Sequence, residues 1–159
     1  MTGERFSVDT NILIYSIDTD AGAKQAMASS LLDALADKDC VLTLQALAEF
    51  FHAVTRKNRM PVEDAAAMVR DWMELFPITV SDGRVLRSAM RLKEEGSFSF
   101  WDAMLVETAR AAGVTRFLTE DMQHGRLLGT LHIENPFSTD FDLDAARAGS
   151  TALPDARFE

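Results

Sequence analysis

The chain has 159 residues, with 25 Asp and Glu against 16 Lys and Arg, a net charge of −9, and 47% apolar residues. This suits one domain with its own core and excludes a wholly disordered chain. The single cysteine, Cys40, excludes an intrachain disulfide and fits a reducing cytoplasm. The start Met1-Thr2-Gly3-Glu4-Arg5 lacks the basic and apolar regions of a signal peptide, and no apolar run is long enough for a membrane span, so a cytoplasmic location is expected. The acidity argues against a broad electropositive surface for duplex DNA and leaves room for a small acidic site that binds metal.

The elements follow in chain order. Arg5-Phe6-Ser7-Val8 reads as a strand, followed by Asp9-Thr10-Asn11 and the apolar run Ile12-Leu13-Ile14-Tyr15. Ala23, Met27, Leu31 and Leu35 recur at helical spacing and predict a helix over 21–36. Val41-Leu42-Thr43 is a second strand, and Leu44, Leu47, Phe51 and Val54 mark the buried stripe of the helix after it. Pro61 stands near the start of the next helix, with Val62, Ala65, Val69, Trp72 and Phe76 as its stripe. Ile78-Thr79-Val80 is a third strand. Ser81 or Asp82 caps a helix ended by Gly96, and Ser99 caps another ended by Gly113. Arg116-Phe117-Leu118-Thr119 and Leu131-His132-Ile133 complete the strands. Strands separated by helices predict an α/β fold, a central parallel sheet of four to five strands with helices on both faces. Residues 1–137 form the expected domain. Residues 138–159 read as an acidic C-terminal tail, with Phe137, Phe141 and Leu143 as its means of docking.

In parallel α/β sheets, ligands bind beyond the carboxyl ends of the strands. Asp9 follows the first strand and Asp121 the fourth, in Leu118-Thr119-Glu120-Asp121. Glu49 lies in the helix after the second strand, on one polar face with Gln45, His52 and Arg56. Asp102 lies in the first turn of the helix that Ser99 begins. Each acid alone has a plainer reading. Glu49 suits a solvated helix face, Asp102 suits a capped helix start, and Asp9 suits an Asx-type turn. Together they can converge at one sheet edge. Two carboxylates 4 Å apart repel by about 4 kcal/mol at an effective dielectric near 20. Protons or hard cations such as Mg²⁺ or Mn²⁺ must offset that. Such ions activate water and stabilise charge on a phosphoryl group, so the arrangement points to phosphodiester hydrolysis.

Four segments carry a resemblance: Phe6-Ser7-Val8-Asp9-Thr10-Asn11, Ala46-Leu47-Ala48-Glu49-Phe50-Phe51, Ser99-Phe100-Trp101-Asp102-Ala103 and Leu118-Thr119-Glu120-Asp121. In order and spacing they resemble the PIN-domain family over about Phe6 to Phe137, and the short form is similar to VapC-type toxins of toxin–antitoxin pairs. The resemblance implies a three-layer α/β/α fold with strand order 3-2-1-4-5 and a Mg²⁺- or Mn²⁺-dependent endoribonuclease. It implies that Asp9, Glu49, Asp102 and Asp121 are the catalytic acids and hold one or two ions. Asn11 and Thr119 match polar positions that arrange the site, and Glu120 is a minor alternative to Asp121. A homodimer and a small cognate antitoxin protein are implied as partners.

RNA contacts must come from local bases, and Arg56, Lys57 and Arg59 form the densest cluster. Helix-end cations complementing the dipole would look the same. A haloacid-dehalogenase-like phosphatase is disfavoured because Asn11 stands where its second Asp is needed. A catalytically inactive PIN-like module that binds protein or RNA is the other alternative. The three histidines, His52, His124 and His132, form no zinc motif. Residues 137–159 carry five acids and two bases, so much of the net charge belongs to this tail and to the four site acids.

Overall fold

The computed structural model describes residues 3–56 and 59–145. Six strands and six α-helices follow one another: β1 (Phe6–Val8), α1 (Thr10–Ile17), α2 (Ala23–Ala36), β2 (Leu42–Thr43), α3 (Leu44–Arg56), α4 (Val62–Leu75), β3 (Ile78–Thr79), α5 (Gly83–Glu94), α6 (Phe100–Ala111), β4 (Arg116–Leu118), β5 (Leu127–Leu128) and β6 (Leu131–Glu134). The sheet is mostly parallel. One ladder runs β1-β4-β6-β5 and a second pairs β2 with β3. A parallel bridge between Phe6 and Cys40 joins them, with Val41 N–H donating to the Phe6 carbonyl at 2.9 Å. The parallel strands therefore lie in the expected order, with β1 inside. The addition is β5, an antiparallel edge strand paired with β6. Its two residues carry no alternation to read from sequence, and the hairpin closes through Gly129 at φ 60°. A side chain at Gly129 would stand 3.1 Å from the Arg110 guanidinium, so both backbone and space call for glycine there.

Every residue of β1 and β4 is buried, as strands covered on both faces must be. Val8, Ile12, Leu13, Leu35, Leu42, Leu47, Phe50, Phe117, Leu118 and Ile133 fill the core. The run Ile12-Leu13-Ile14-Tyr15 is helix α1, started by Asp9, whose side chain accepts from Thr10 N–H. The stripe of α3 also differs from the expected one. Ala46, Leu47, Phe50 and Val54 are buried, whereas Leu44 is 47% exposed and Phe51 only half-buried. Leu44 directly follows β2, where the chain has just emerged from the sheet. In α4, Val62 is exposed, and Ala65 and Trp72 carry the burial. Asp82, not Ser81, caps α5, and Ser99 caps α6 as expected.

Arg116 is fully buried at the start of β4. Its guanidinium donates to both oxygens of Glu134 at 2.6 and 3.1 Å and to Glu4 at 3.2 Å. It also donates to the backbone carbonyls of Asp142, Leu143 and Ala145. The described part of the C-terminal segment thus rests on the body, with Phe137, Phe141 and Leu143 packed against the core. Residues 146–159 lie outside the described residues. No helix among the described residues is long and apolar enough to cross a membrane.

Candidate functional site

The register of β1 on β4 pairs Val8 with Leu118. The next residue of each strand is therefore Asp9 and Thr119, side by side at the carboxyl end of the sheet. Asp9 N–H donates to the Leu118 carbonyl at 2.9 Å, and Thr119 N–H to the Glu134 carbonyl at 2.9 Å, so both are fixed by the ladder itself. The Thr119 hydroxyl donates to Asp9 Oδ2 at 2.7 Å. The Thr119 hydroxyl oxygen in turn accepts from Asn11 Nδ2 at 3.3 Å and from Asp121 N–H at 3.2 Å. Thr119 thereby ties together the two loops that carry Asp9, Asn11 and Asp121.

Asp9 is 7% exposed. Burial pushes its carboxyl up to about 7, against the hydrogen bonds from Thr119 and Thr10, and the charges of Asp102 and Asp121 push the same way. Asp102, half-buried in the first turn of α6, is also raised, chiefly by burial and further by Asp121 and Glu49. Its backbone N–H donates to Ser99 Oγ at 3.2 Å, and the Ser99 side chain works against the rise at the carboxylate. Asp121 is exposed at the rim. Glu49 is held from two sides, accepting from the Thr10 hydroxyl at 2.9 Å and from Gln45 Nε2 at 2.7 Å.

The sequence-predicted acids Asp9, Glu49, Asp102 and Asp121 are thus neighbours that feel one another's charge. Glu120 faces elsewhere. Its carboxylate pairs with Lys24 Nζ at 2.6 Å, and that ammonium also lies 5.2 Å from the Tyr15 ring centroid and 5.4 Å from that of Phe137. Arg56 and Arg59 are exposed, Arg56 about 10 Å along the α3 axis from Glu49 at 1.5 Å per residue. Lys57 lies outside the described residues. Thr10 and Lys24 were missed as parts of this constellation. Thr10 stands between two residues that were singled out, which was the available signal; Lys24 meets Glu120 across a separation of 96 residues and had none.

The donors here are all oxygen, and carboxylate oxygens suit Mg²⁺ or Mn²⁺. Asn11 Oδ1 is buried beside Thr119 with no hydrogen-bond partner, an acceptor to spare next to the acids. In donor type and charge the residues fit a hard divalent cation. Among the described residues, no group of three or more acidic, His or Cys side chains is arranged as a formed ligand set.

These features define an α/β protein whose acidic residues gather beyond the carboxyl ends of parallel strands. The PIN domain family matches residues 7–127, and the chain belongs to that family. No curated protein matches the sequence. Solved structures share the fold. DNA-bound VapBC from Salmonella typhimurium has 14% identity and a TM-score of 0.63, over 84% of this chain and 99% of that one. VapBC2 from Rickettsia felis, bound to a DNA fragment from its promoter, has 17% identity and a TM-score of 0.61 over 82% and 98%. VapC20 from Mycobacterium tuberculosis, a toxin that cleaves the sarcin–ricin loop, has 17% identity and a TM-score of 0.55 over 70% and 86%.

Proposed function

We propose that this protein is a divalent-metal-dependent endoribonuclease and the toxin of a toxin–antitoxin pair, working in the cytoplasm. The observation that carries the reading is the buried Asp9, pressed by Asp102 and Asp121 and raised to about 7, in a site whose donors are all oxygen. Such a group costs stability unless a cation joins it. One or two Mg²⁺ or Mn²⁺ ions, when bound, would supply water activation and charge stabilisation at a phosphodiester.

Asp9, Asp102 and Asp121 would hold the ions, with Glu49 completing the set or orienting water. Thr119 fixes Asp9 and Asn11 relative to Asp121. Thr10 and Gln45 fix Glu49. Arg56, Lys57 and Arg59 would meet the RNA backbone away from the acids. A small antitoxin protein and a second copy of the chain are the proposed partners. The complexes among the structural relatives and the exposed apolar side chains of α4 and α5, such as Met73, Leu86 and Met90, support this part of the reading. Residues 1–137 would form the nuclease unit and 138–159 an appended acidic segment.

The test is cleavage of a structured RNA. The wild-type chain should cut it with Mg²⁺ or Mn²⁺, stop on adding EDTA, and lose activity in Asp9→Asn, which keeps the side-chain size and the α1 cap. Undiminished cleavage by Asp9→Asn sinks the assignment. Binding of RNA without any metal-dependent cleavage would instead support the catalytically inactive module.

A further inference from the structure

Trp101 is the only Phe, Tyr or Trp side chain among the described residues that is exposed, at 62%. The other tryptophan, Trp72, is buried edge-on against Phe50 with ring centroids 4.7 Å apart, as a core tryptophan should be. Trp101 serves no such purpose. Phe100 and Ala103 turn α6 toward the core, and the helical step of about 100° per residue leaves position 101 outside. A large apolar ring left in water at that point has a transfer cost the fold does not recover.

Its position is specific. Trp101 directly precedes Asp102, and its carbonyl accepts from Gln45 Nε2 at 3.0 Å. The same amide nitrogen donates to Glu49 Oε1 at 2.7 Å. One side chain thus ties the Trp101 backbone to a proposed catalytic acid, so the exposed ring is carried by the turn of α6 that meets α3 beside the carboxylates. Phe100 packs against the ring at a centroid distance of 5.0 Å and an interplanar angle of 63°, which braces the indole.

We propose that Trp101 is a stacking platform for an unpaired base of the RNA strand held at the carboxylates. The inference rests on the nuclease reading and deepens it by adding a residue that positions the strand at the carboxylates. Single-stranded RNA is recognised through splayed bases stacked on aromatic rings, and every base offers such a face. Stacking needs no cation, so it suits a wall lined by acids, where phosphate contacts from the protein are scarce. A base inside a duplex has no free face to offer, so double-stranded RNA gains nothing from this ring.

The experiment follows tryptophan fluorescence in the full chain carrying Asp9→Asn, so that bound RNA is not cut, while wild-type cleavage is assayed separately with Mg²⁺ or Mn²⁺. An unstructured oligoribonucleotide should quench the emission, and a blunt RNA duplex should not. Trp101→Phe should remove the quench and keep most of the affinity. Trp101→Ala should weaken binding of the unstructured strand by roughly ten- to a hundred-fold and leave duplex binding unchanged. If the wild type cuts RNA but Trp101→Ala binds the unstructured strand as before, the stacking proposal is overturned and the nuclease reading stands. Absence of both cleavage and RNA binding in the wild type would overturn the two together. Loss of dimer in sedimentation by Trp101→Ala, with no quench by RNA in the parent chain, would assign the ring to a contact between copies and overturn stacking.

Discussion

Two clusters of buried charge lie at opposite ends of β4, and they are built in opposite ways. At the start of the strand, Arg116 is sealed from water and every direction of its guanidinium is answered by Glu134, Glu4 or a carbonyl. Burial opposes its charge, and the two carboxylates outweigh that opposition. Just past the end of the strand, Asp9 is almost as deeply buried, has two hydrogen bonds, and faces only charges of its own sign. One cluster is balanced by its own residues. The other gathers like charges around a buried carboxylate, and perturbed groups of that kind concentrate where chemistry is done rather than where the fold is held together.

The largest contrast comes from removing the central charge of each. Asp9→Asn should reduce metal-dependent RNA cleavage to background. In EDTA at pH 8 it should also make the protein more stable than wild type to urea, because the repelled carboxylate is gone. Arg116→Met should do the reverse, leaving cleavage per folded molecule unchanged while destabilising the protein by about 3–5 kcal/mol, since a buried ion pair is broken from one side and the buried Glu134 loses both hydrogen bonds from the guanidinium. Chemical denaturation of both variants checks the pair. Equal effects of the two substitutions on stability, in size and sign, would erase the distinction.

A smaller effect is expected from pH. The folded carboxyl of Asp9 sits at about 7, against about 3.9 in an unfolded chain, so the native state holds the proton more tightly. The stability this group contributes is present below pH 4 and is lost as pH rises through 7. At 1.36 kcal/mol per unit the loss is at most about 4 kcal/mol. Added Mn²⁺ should raise the melting temperature more at pH 8 than at pH 5. A metal effect independent of pH would separate Asp9 from the ion. The smallest effect is that of Thr119→Val, which removes the hydroxyl bonded to Asp9 and should cost about 1.5–3 kcal/mol. It should also slow cleavage without abolishing it.

Much of this was legible in the residues. Asp9, Asp102 and Asp121 stand at strand ends and a helix start, and Glu49 on the polar face of the helix after β2, so the proximity of the four could be expected before any geometry. Asp82 and Ser99 were readable as caps because capping is local. What escaped was decided at long range. Arg116 reads as an ordinary strand residue, and its burial depends on carbonyls up to 29 residues away. Glu120 and Asp121 are adjacent in sequence, and only the structure shows that Glu120 is paired with Lys24 of α2 while Asp121 acts on Asp9 and Asp102. The α3 stripe was misjudged by taking Leu44 and Phe51 for core, because a period of 3.6 fits two neighbouring faces nearly as well over so short a helix.

The guanidinium of Arg116 has one more consequence. Glu4 and Ala145, near the two ends of the described chain, both rest on it. Residues 4–145 therefore run almost in a closed ring, and a short bridge between these two positions would complete it. New ends could then be opened between α3 and α4, beside the exposed Arg59, where no core strand is cut. In such a circular permutant the six strands would be met in a different order along the chain. The side chains around Asp9 and Thr119 would not change neighbours, because what places them is strand register and not the sequence of connections.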